Sequence, residues 1–518
     1  MPCYPVILRV RLWTCLWCCV STGAWAQAVA PSPDADLPTT PVTWTVTQEN
    51  WRLPAGETLG MTGGTVWWGV NEHLKWGVAT YGATRGERGG FITLGLAGEL
   101  QHRWTPAWSS TLGLHVGAGG GHGGQPLAGG GLMLRTDVGL GYETRGWGRI
   151  GAGMSHVRFP DGTINSTQPY LRYDYSFNSL LIGGHDQPEP RTNATGVSRL
   201  ASRGQSFAVV AREVDLPAQL GAAKASRMQL VGVEWSSDLD ENWFLKLQAD
   251  GAMGGRNSGY MQILAGGGYR LPLWQGGAFK LHGAIGPAGG GAVQTQGGLI
   301  WDTGVSVQQQ ISRHDSLALA WGKEGGFSGP FRANSWGLKW VHHFASPVVG
   351  PAPVRVVDLT GWDANHLRIR SGQQTYQGST PTWRNAYTDQ AVRNLGAQLD
   401  YFVSPADAAT QWFVTGQGMA AYKGQAGAYM SGLLGVGVQR SLTGAWFAEA
   451  QALIGAAGGG GLATGGGLVG QFDAGLGYRL SPQWSVLTTV GRIAAHRGDF
   501  KAKVWGLALV YDLTTLSR

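Results

Sequence analysis

The chain has 518 residues, 85 of them glycine and only 14% charged, with a formal net charge of +7. Glycine at more than twice its usual ~7% share, beside charge far below the ~25% of a soluble domain, excludes an ordinary globular composition. The 24 Trp, 15 Tyr and 14 Phe exclude a disordered chain, and the Lys/Arg residues form no cluster that would suit nucleic acid.

Residues 1–26 have the layout of a signal peptide. Arg9 and Arg11 lead into the apolar run 12–20, and Ala24-Trp25-Ala26 is an A-x-A cleavage site before Gln27. The run is far shorter than the ~20 residues of a membrane-spanning helix. Leu16-Trp17 ahead of Cys18 does not fit a lipoprotein signal. All four cysteines (Cys3, Cys15, Cys18, Cys19) lie here, so the mature chain carries no disulfide and no thiolate chemistry. Residues 27–42 follow as an N-terminal periplasmic segment.

The remainder reads as three copies of one unit, at 43–178, 205–344 and 363–513. Trp76, Trp243 and Trp412 start similar strands 167 and 169 residues apart, and the glycine runs ending at Gly131, Gly298 and Gly467 keep the same two intervals. After each tryptophan comes an aromatic restart, at Gly89-Gly90-Phe91, Ser258-Gly259-Tyr260 and Gly427-Ala428-Tyr429. A glycine-rich hairpin then follows in every copy. Agreement of order and spacing across the copies is a specific signal, at the period of a whole small barrel and not of a solenoid.

Each copy holds eight candidate strands. In the second they are 205–216, 227–238, 243–253, 260–271, 278–286, 298–311, 316–323 and 333–344. Most reach the ~9–11 residues with which a barrel strand crosses a bilayer. Side chains alternate in type along them. Leu132, Leu134, Thr136, Val138, Leu140 and Tyr142 share one face of a strand, and Met133, Arg135, Asp137, Gly139 and Gly141 share the other. The third copy repeats this with Leu468, Phe472, Leu476 and Tyr478 against Gln471, Asp473, Gly475 and Gly477. One apolar face ending in an aromatic, and one small or polar face, is the pattern of a membrane barrel strand.

The fold class expected is therefore an all-β, antiparallel transmembrane β-barrel of about 24 strands in three eight-stranded repeats. An even strand number puts both termini on the periplasmic side, with short polar turns there and the glycine-rich hairpins as short outward loops. The joints 179–204, with Pro188 and Pro190, and 345–362, with Pro347, Pro351 and Pro353, exceed the ~2–5 residues of a hairpin loop. Inward Gly113, Gly117, Gly139, Gly141, Gly151 and Gly153 relieve crowding in a tightly curved wall. Both features favour three tandem small barrels over one wide barrel.

Asp137, Asp302 and Asp473 each stand two residues before a strand glycine on the expected inner face, with Arg135 and Arg172 as neighbours. Such carboxylates select cations or contact a translocating polymer if they line a pore. In a small barrel, whose interior is just filled by side chains, they are instead paired core groups, which is the reading preferred. Gly119-x-Gly121-x-x-Gly124 matches a dinucleotide fingerprint by letters but lies between strands with no helix expected after it. Ser155 and His156 are adjacent and so face opposite sides of a strand. No catalytic residue, metal or cofactor is expected.

The alternation, the aromatics at strand ends and closing segments such as Trp340-Val341-His342-His343-Phe344 resemble bacterial outer-membrane barrels as a class, over most of residues 43–513. The resemblance implies a Gram-negative outer-membrane location, contact with membrane lipid and lipopolysaccharide, and assembly by the barrel insertion machinery. It implies a porin-like transport or export-associated role acting on a polymer or small solute. A structural platform and a lipid-modifying enzyme are the alternatives. The C-terminus departs from the class: the last strand is expected to end near Tyr511-Asp512-Leu513, with Thr514 to Arg518 beyond it and no terminal phenylalanine.

Overall fold

A computed structural model describes residues 40–518 apart from 122–123, 145, 184–197, 200, 217–225, 349–356, 359–360, 379–381, 385–390 and 406–407. The signal peptide, most of the N-terminal segment, and Pro188, Pro190, Pro351 and Pro353 lie outside the described residues.

The chain closes three separate antiparallel barrels. Barrel 1 runs through Thr40–Arg52, Thr58–Gly69, Leu74–Arg85, Ile92–Arg103, Trp108–Gly120, Leu132–Thr144, Gly148–Arg158 and Asn165–Ser179. Barrel 2 uses Ala201–Leu216, Ser226–Asp238, Trp243–Gly254, Met261–Trp274, Gly277–Gly289, Leu299–Gln310, Asp315–Gly326 and Arg332–Val348. Barrel 3 uses Asp363–Gly378, Ala391–Phe402, Thr410–Lys423, Met430–Ser441, Trp446–Gly458, Leu468–Arg479, Trp484–Ala495 and Lys501–Ser517. In each, the first strand pairs with the eighth and leaves no open edge. The strands of barrel 2 depart from the sequence-based bounds by at most four residues.

Burial follows the alternation. Met133, Arg135 and Asp137 are buried on the sixth strand of barrel 1, while Val138, Leu140 and Tyr142 between and beyond them are exposed. Inward glycines make room for the large inward side chains. Phe244 stands directly opposite Gly268, Phe413 opposite Gly437 and Phe447 opposite Gly477. Each ring lies over the bare backbone of its glycine, so a strand residue that costs order is covered by an aromatic. On the outside, Trp108–Tyr142, Trp243–Tyr269 and Trp446–Tyr478 form edge-on pairs 5.0–5.1 Å apart, all at the end where the barrel joints lie.

The glycine-rich loops have a use the sequence did not reveal. At the loop end, the loop after strand three of each barrel docks on the loop after strand five of the next. Gly89 N donates to Gln296 O at 2.6 Å, joining barrel 1 to barrel 2. Ser258 Oγ and Thr464 Oγ1 are 2.5 Å apart, joining barrel 2 to barrel 3. A Cβ on Gly427 would meet Gly129 O at 2.2 Å, where barrel 3 returns to barrel 1. These are head-to-tail contacts of one kind, and such contacts close a ring when the rotation permits. Here the ring closes after three barrels, giving a pseudo-threefold assembly within one chain. Only glycine lets the loop backbones approach this closely.

Three expectations need correction. The last strand does not stop at Leu513 but runs to Ser517, because Thr514–Ser517 find partners in 363–366 and Leu513–Thr515 also pair with Leu181–Gly183. A helical turn, Gly124–Ala128, does follow the glycine fingerprint; it is little more than one turn and leads to an antiparallel strand, so no dinucleotide-binding crossover results. Asp302 is not the counterpart of the other two aspartates. Asp137 lies opposite Gly113 and Asp473 opposite Gln451, whereas the matching position opposite His282 is Gly304. Asp302 sits one pleat nearer the loops.

Candidate functional site

The candidate site is the interior of the barrels, where the inward faces bring charged side chains together. In barrel 1, Arg135 joins two carboxylates: it forms an ion pair with Asp137 and another with Glu49 at 3.1 Å. Glu49 also accepts from Trp51 Nε1 and Ser155 Oγ, both at 2.7 Å, and Tyr170 Oη donates to Asp137 at 3.2 Å. Arg172 does not pair with Asp137. It holds Glu99 and Asp174, at 2.5 and 2.9 Å, and Arg149 meets the other oxygen of Asp174 at 2.6 Å.

In barrel 2 the charges change places. The cation is now on strand one, where Arg212 reaches Asp302 on strand six at 2.6 Å and Glu324 on strand seven at 3.2 Å. His282 Nε2 lies 3.1 Å from the second oxygen of Asp302. A separate cluster sets Glu234 between Lys246 and Lys339, at 3.0 and 2.7 Å. In barrel 3, Arg368 and Arg370 both hold Asp400 and Glu449, at 2.5–3.0 Å. Their guanidinium groups lie over the Phe413 ring at 5.0 and 5.4 Å. Asp473 stands apart from these cations and accepts from the amides of Gln471 and Gln451, at 2.7 and 3.0 Å.

All five candidates from the sequence thus point inward and are buried. Only Arg135 and Asp137 meet each other. The reading missed Glu49, Glu99, Arg149, Asp174, Arg212, Glu324, Arg368, Arg370, Asp400 and Glu449. Each stands on the inward parity of its own strand, so counting parity outward from a placed aromatic would have found them. Ser155 and His156 do face opposite ways: the serine donates to Glu49 inside, and the histidine bonds Thr167 Oγ1 on the outer wall at 2.9 Å.

In barrel 1 the network fills the space it occupies. Among Arg135, Arg172, Glu99 and Tyr81 the remaining cavity is about 20 Å³, room for a single water and for nothing larger. A buried charge persists when it is paired. Most of these groups are also hydrogen-bonded, whereas Glu324 meets Arg212 as an ion pair alone. The same backbone therefore carries three different buried charge arrangements.

No family model matches the chain, and no curated protein matches it. Among solved structures it is similar to the siderophore receptor PirA from Pseudomonas aeruginosa, at 12% identity over 93% of this chain and 81% of that one, with a TM-score of 0.25. It is similar to OpdQ from Pseudomonas aeruginosa at 11% identity over 92% and 97% of the two chains, TM-score 0.21. The outer membrane protein OpdK from the same organism matches at 12% identity over 92% and 98%, TM-score 0.22. At such scores the architectures do not superpose, and the chain's own geometry has to carry the functional reading.

Proposed function

We propose that the chain is a Gram-negative outer-membrane β-barrel protein with a non-enzymatic, transport- or export-associated role, acting as a membrane-embedded platform whose barrels are filled. The observation that carries this is the contrast between the two sides of each wall. Outside are exposed Leu, Val and Trp side chains with an aromatic girdle at one end; inside are buried ion-pair networks. Lipid is the solvent that suits the first, and a closed core is what the second makes. The barrel insertion machinery is the partner expected for assembly.

Membrane fractionation tests the location, with the protein expected in the outer-membrane fraction. Single-channel recording in planar bilayers tests the closed core. The platform reading expects a nearly silent protein. The porin-like reading requires the Arg135 or Arg212 network to be displaced and expects discrete steps that charge substitutions in the network alter. Large, steady conductance from the unmodified protein overturns the filled-barrel reading.

A further inference from the structure

The outer walls carry a repeated set of basic residues where lipid-facing apolar residues are the rule. His156, Lys323 and Arg492 stand 167 and 169 residues apart, the same intervals as the landmark tryptophans. All three are exposed, on the outward parity of strand seven of their barrels, close to the loop end. Their cross-strand neighbours on strand eight are Thr167, Asn334 and Lys503. One pleat nearer the loops come Arg158 in barrel 1, Arg332 in barrel 2 and Lys501 in barrel 3, all outward and exposed. Arg332 is tied to the backbone carbonyls of Gly326 and Phe331. Arg158, Lys323, Arg492, Lys501 and Lys503 have no side-chain partner among the described residues.

A cation on the lipid face of a barrel is costly at the bilayer midplane, by ~2–4 kcal/mol, and nearly free at the interface. These residues therefore mark the headgroup level at the loop end. Barrel 3 makes the case most sharply. Arg492 and Lys503 are directly opposite each other, and Lys501 is beside them. Like charges in that relation repel unless an anion lies between them. The outward positions of these two strands include no acidic side chain, and the connecting loop adds Arg497 and one acid, Asp499. Near the loops the barrels meet through strands three and five and the loops that follow them. Strand eight of barrel 3 meets strand eight of barrel 2 and residues 181–183 at the joint end, where Ala345 and Arg518 exchange backbone hydrogen bonds. The loop-end stretch with Arg492, Lys501 and Lys503 is exposed.

We propose that the wall of strands seven and eight, above all Arg492, Lys501 and Lys503, is a docking surface for the phosphate groups of lipid A, with its acyl chains against the apolar wall below (Val490, Trp505, Leu507). This rests on the outer-membrane reading with the loops outward, since lipid A is the anionic lipid of that leaflet. In barrel 2 the wall next to Lys323 also has a groove of about 820 Å³, floored by Gly267 and Gly283 and walled by Leu281, Val305 and Trp321, which suits an acyl chain.

The test uses the purified full-length protein, delipidated in detergent and titrated with lipid A by native mass spectrometry. Phosphatidylglycerol is the parallel probe. The comparison is with the triple variant Arg492→Ser, Lys501→Ser, Lys503→Ser, whose exposed positions leave the fold intact, as heat-modifiable gel mobility would report. The expected result is a loss of lipid A affinity of roughly a hundredfold, from three cations near an anionic headgroup. Unchanged affinity in the variant overturns the proposal. Equal binding of phosphatidylglycerol overturns the assignment to lipid A. Recovery of the protein outside the outer-membrane fraction is a different result, and would remove the location reading itself.

Discussion

Arg212 Nη2 stands 2.6 Å from Asp302 Oδ1, and the same guanidinium reaches Glu324 at 3.2 Å and Asp250 at 3.7 Å. One cation thus ties strand one to strands three, six and seven of barrel 2. Breaking a buried pair by removing one partner costs ~3–5 kcal/mol, because the abandoned charge has no solvent. Arg212→Met is expected to lower the urea midpoint of the folded protein by roughly 1–2 M. Adding Asp302→Asn and Glu324→Gln to the same chain is expected to recover much of that loss. An unmoved midpoint for the single variant would mean that the network does not hold the barrel.

The aspartates first singled out together should behave differently. Asp302 faces Arg212 and His282, whereas Asp473 accepts only from two glutamine amides. Asp302→Asn gives up a charge-assisted contact and leaves Arg212 with less compensation, so a cost of about 2–3 kcal/mol is expected. Asp473→Asn loses two neutral-donor bonds that a turned amide can largely replace, and about 1 kcal/mol or less is expected. Equal losses in parallel urea titrations would contradict the pairing described above.

The ring of loops offers a chemical test. Ser258 Oγ and Thr464 Oγ1 are 2.5 Å apart across the junction of barrels 2 and 3, and no cysteine follows residue 19. Ser258→Cys with Thr464→Cys is expected to form a disulfide without added oxidant in an oxidising compartment. Non-reducing electrophoresis should show a faster band that dithiothreitol reverses. A pair that stays reduced would place the two loops farther apart than the closed ring requires.

How much of this was legible in the sequence depends on the range of the interaction. Strand positions and inward parity follow from alternation within one segment, and Met133, Asp137 and Leu140 were placed correctly from that alone. Strand ends set by distant partners were not legible. Thr514–Ser517 extend the last strand only because residues 363–366, about 150 positions earlier, are there to pair with. Asp302 was misaligned because a two-residue slip keeps parity, so nothing in the pattern flags it. The ion-pair partners were missed for the same reason as the ring of loops. Glu49 with Arg135, and Gly89 with Gln296, come together through barrel closure and barrel packing, and neither leaves a local trace.

Two glycines on strand four of barrel 3 separate packing from propensity. A Cβ on Gly437 would come within 2.2 Å of the Phe413 ring, whereas one on Gly432 would meet nothing within 4 Å. The Phe413 ring cannot withdraw cheaply, because Arg368 and Arg370 lie over it. Gly437→Ala is therefore expected to cost about 1–3 kcal/mol through overpacking, and Phe413→Leu in the same chain should reduce that penalty. Gly432→Ala, which only removes freedom from the unfolded chain, is expected to be neutral or to stabilise by about 0.4–1 kcal/mol. Urea titrations of the two single variants and the double variant measure this directly. If both alanines cost the same, the inward glycines are not there to seat the aromatic rings, and the account of how the barrel cores are filled fails with them.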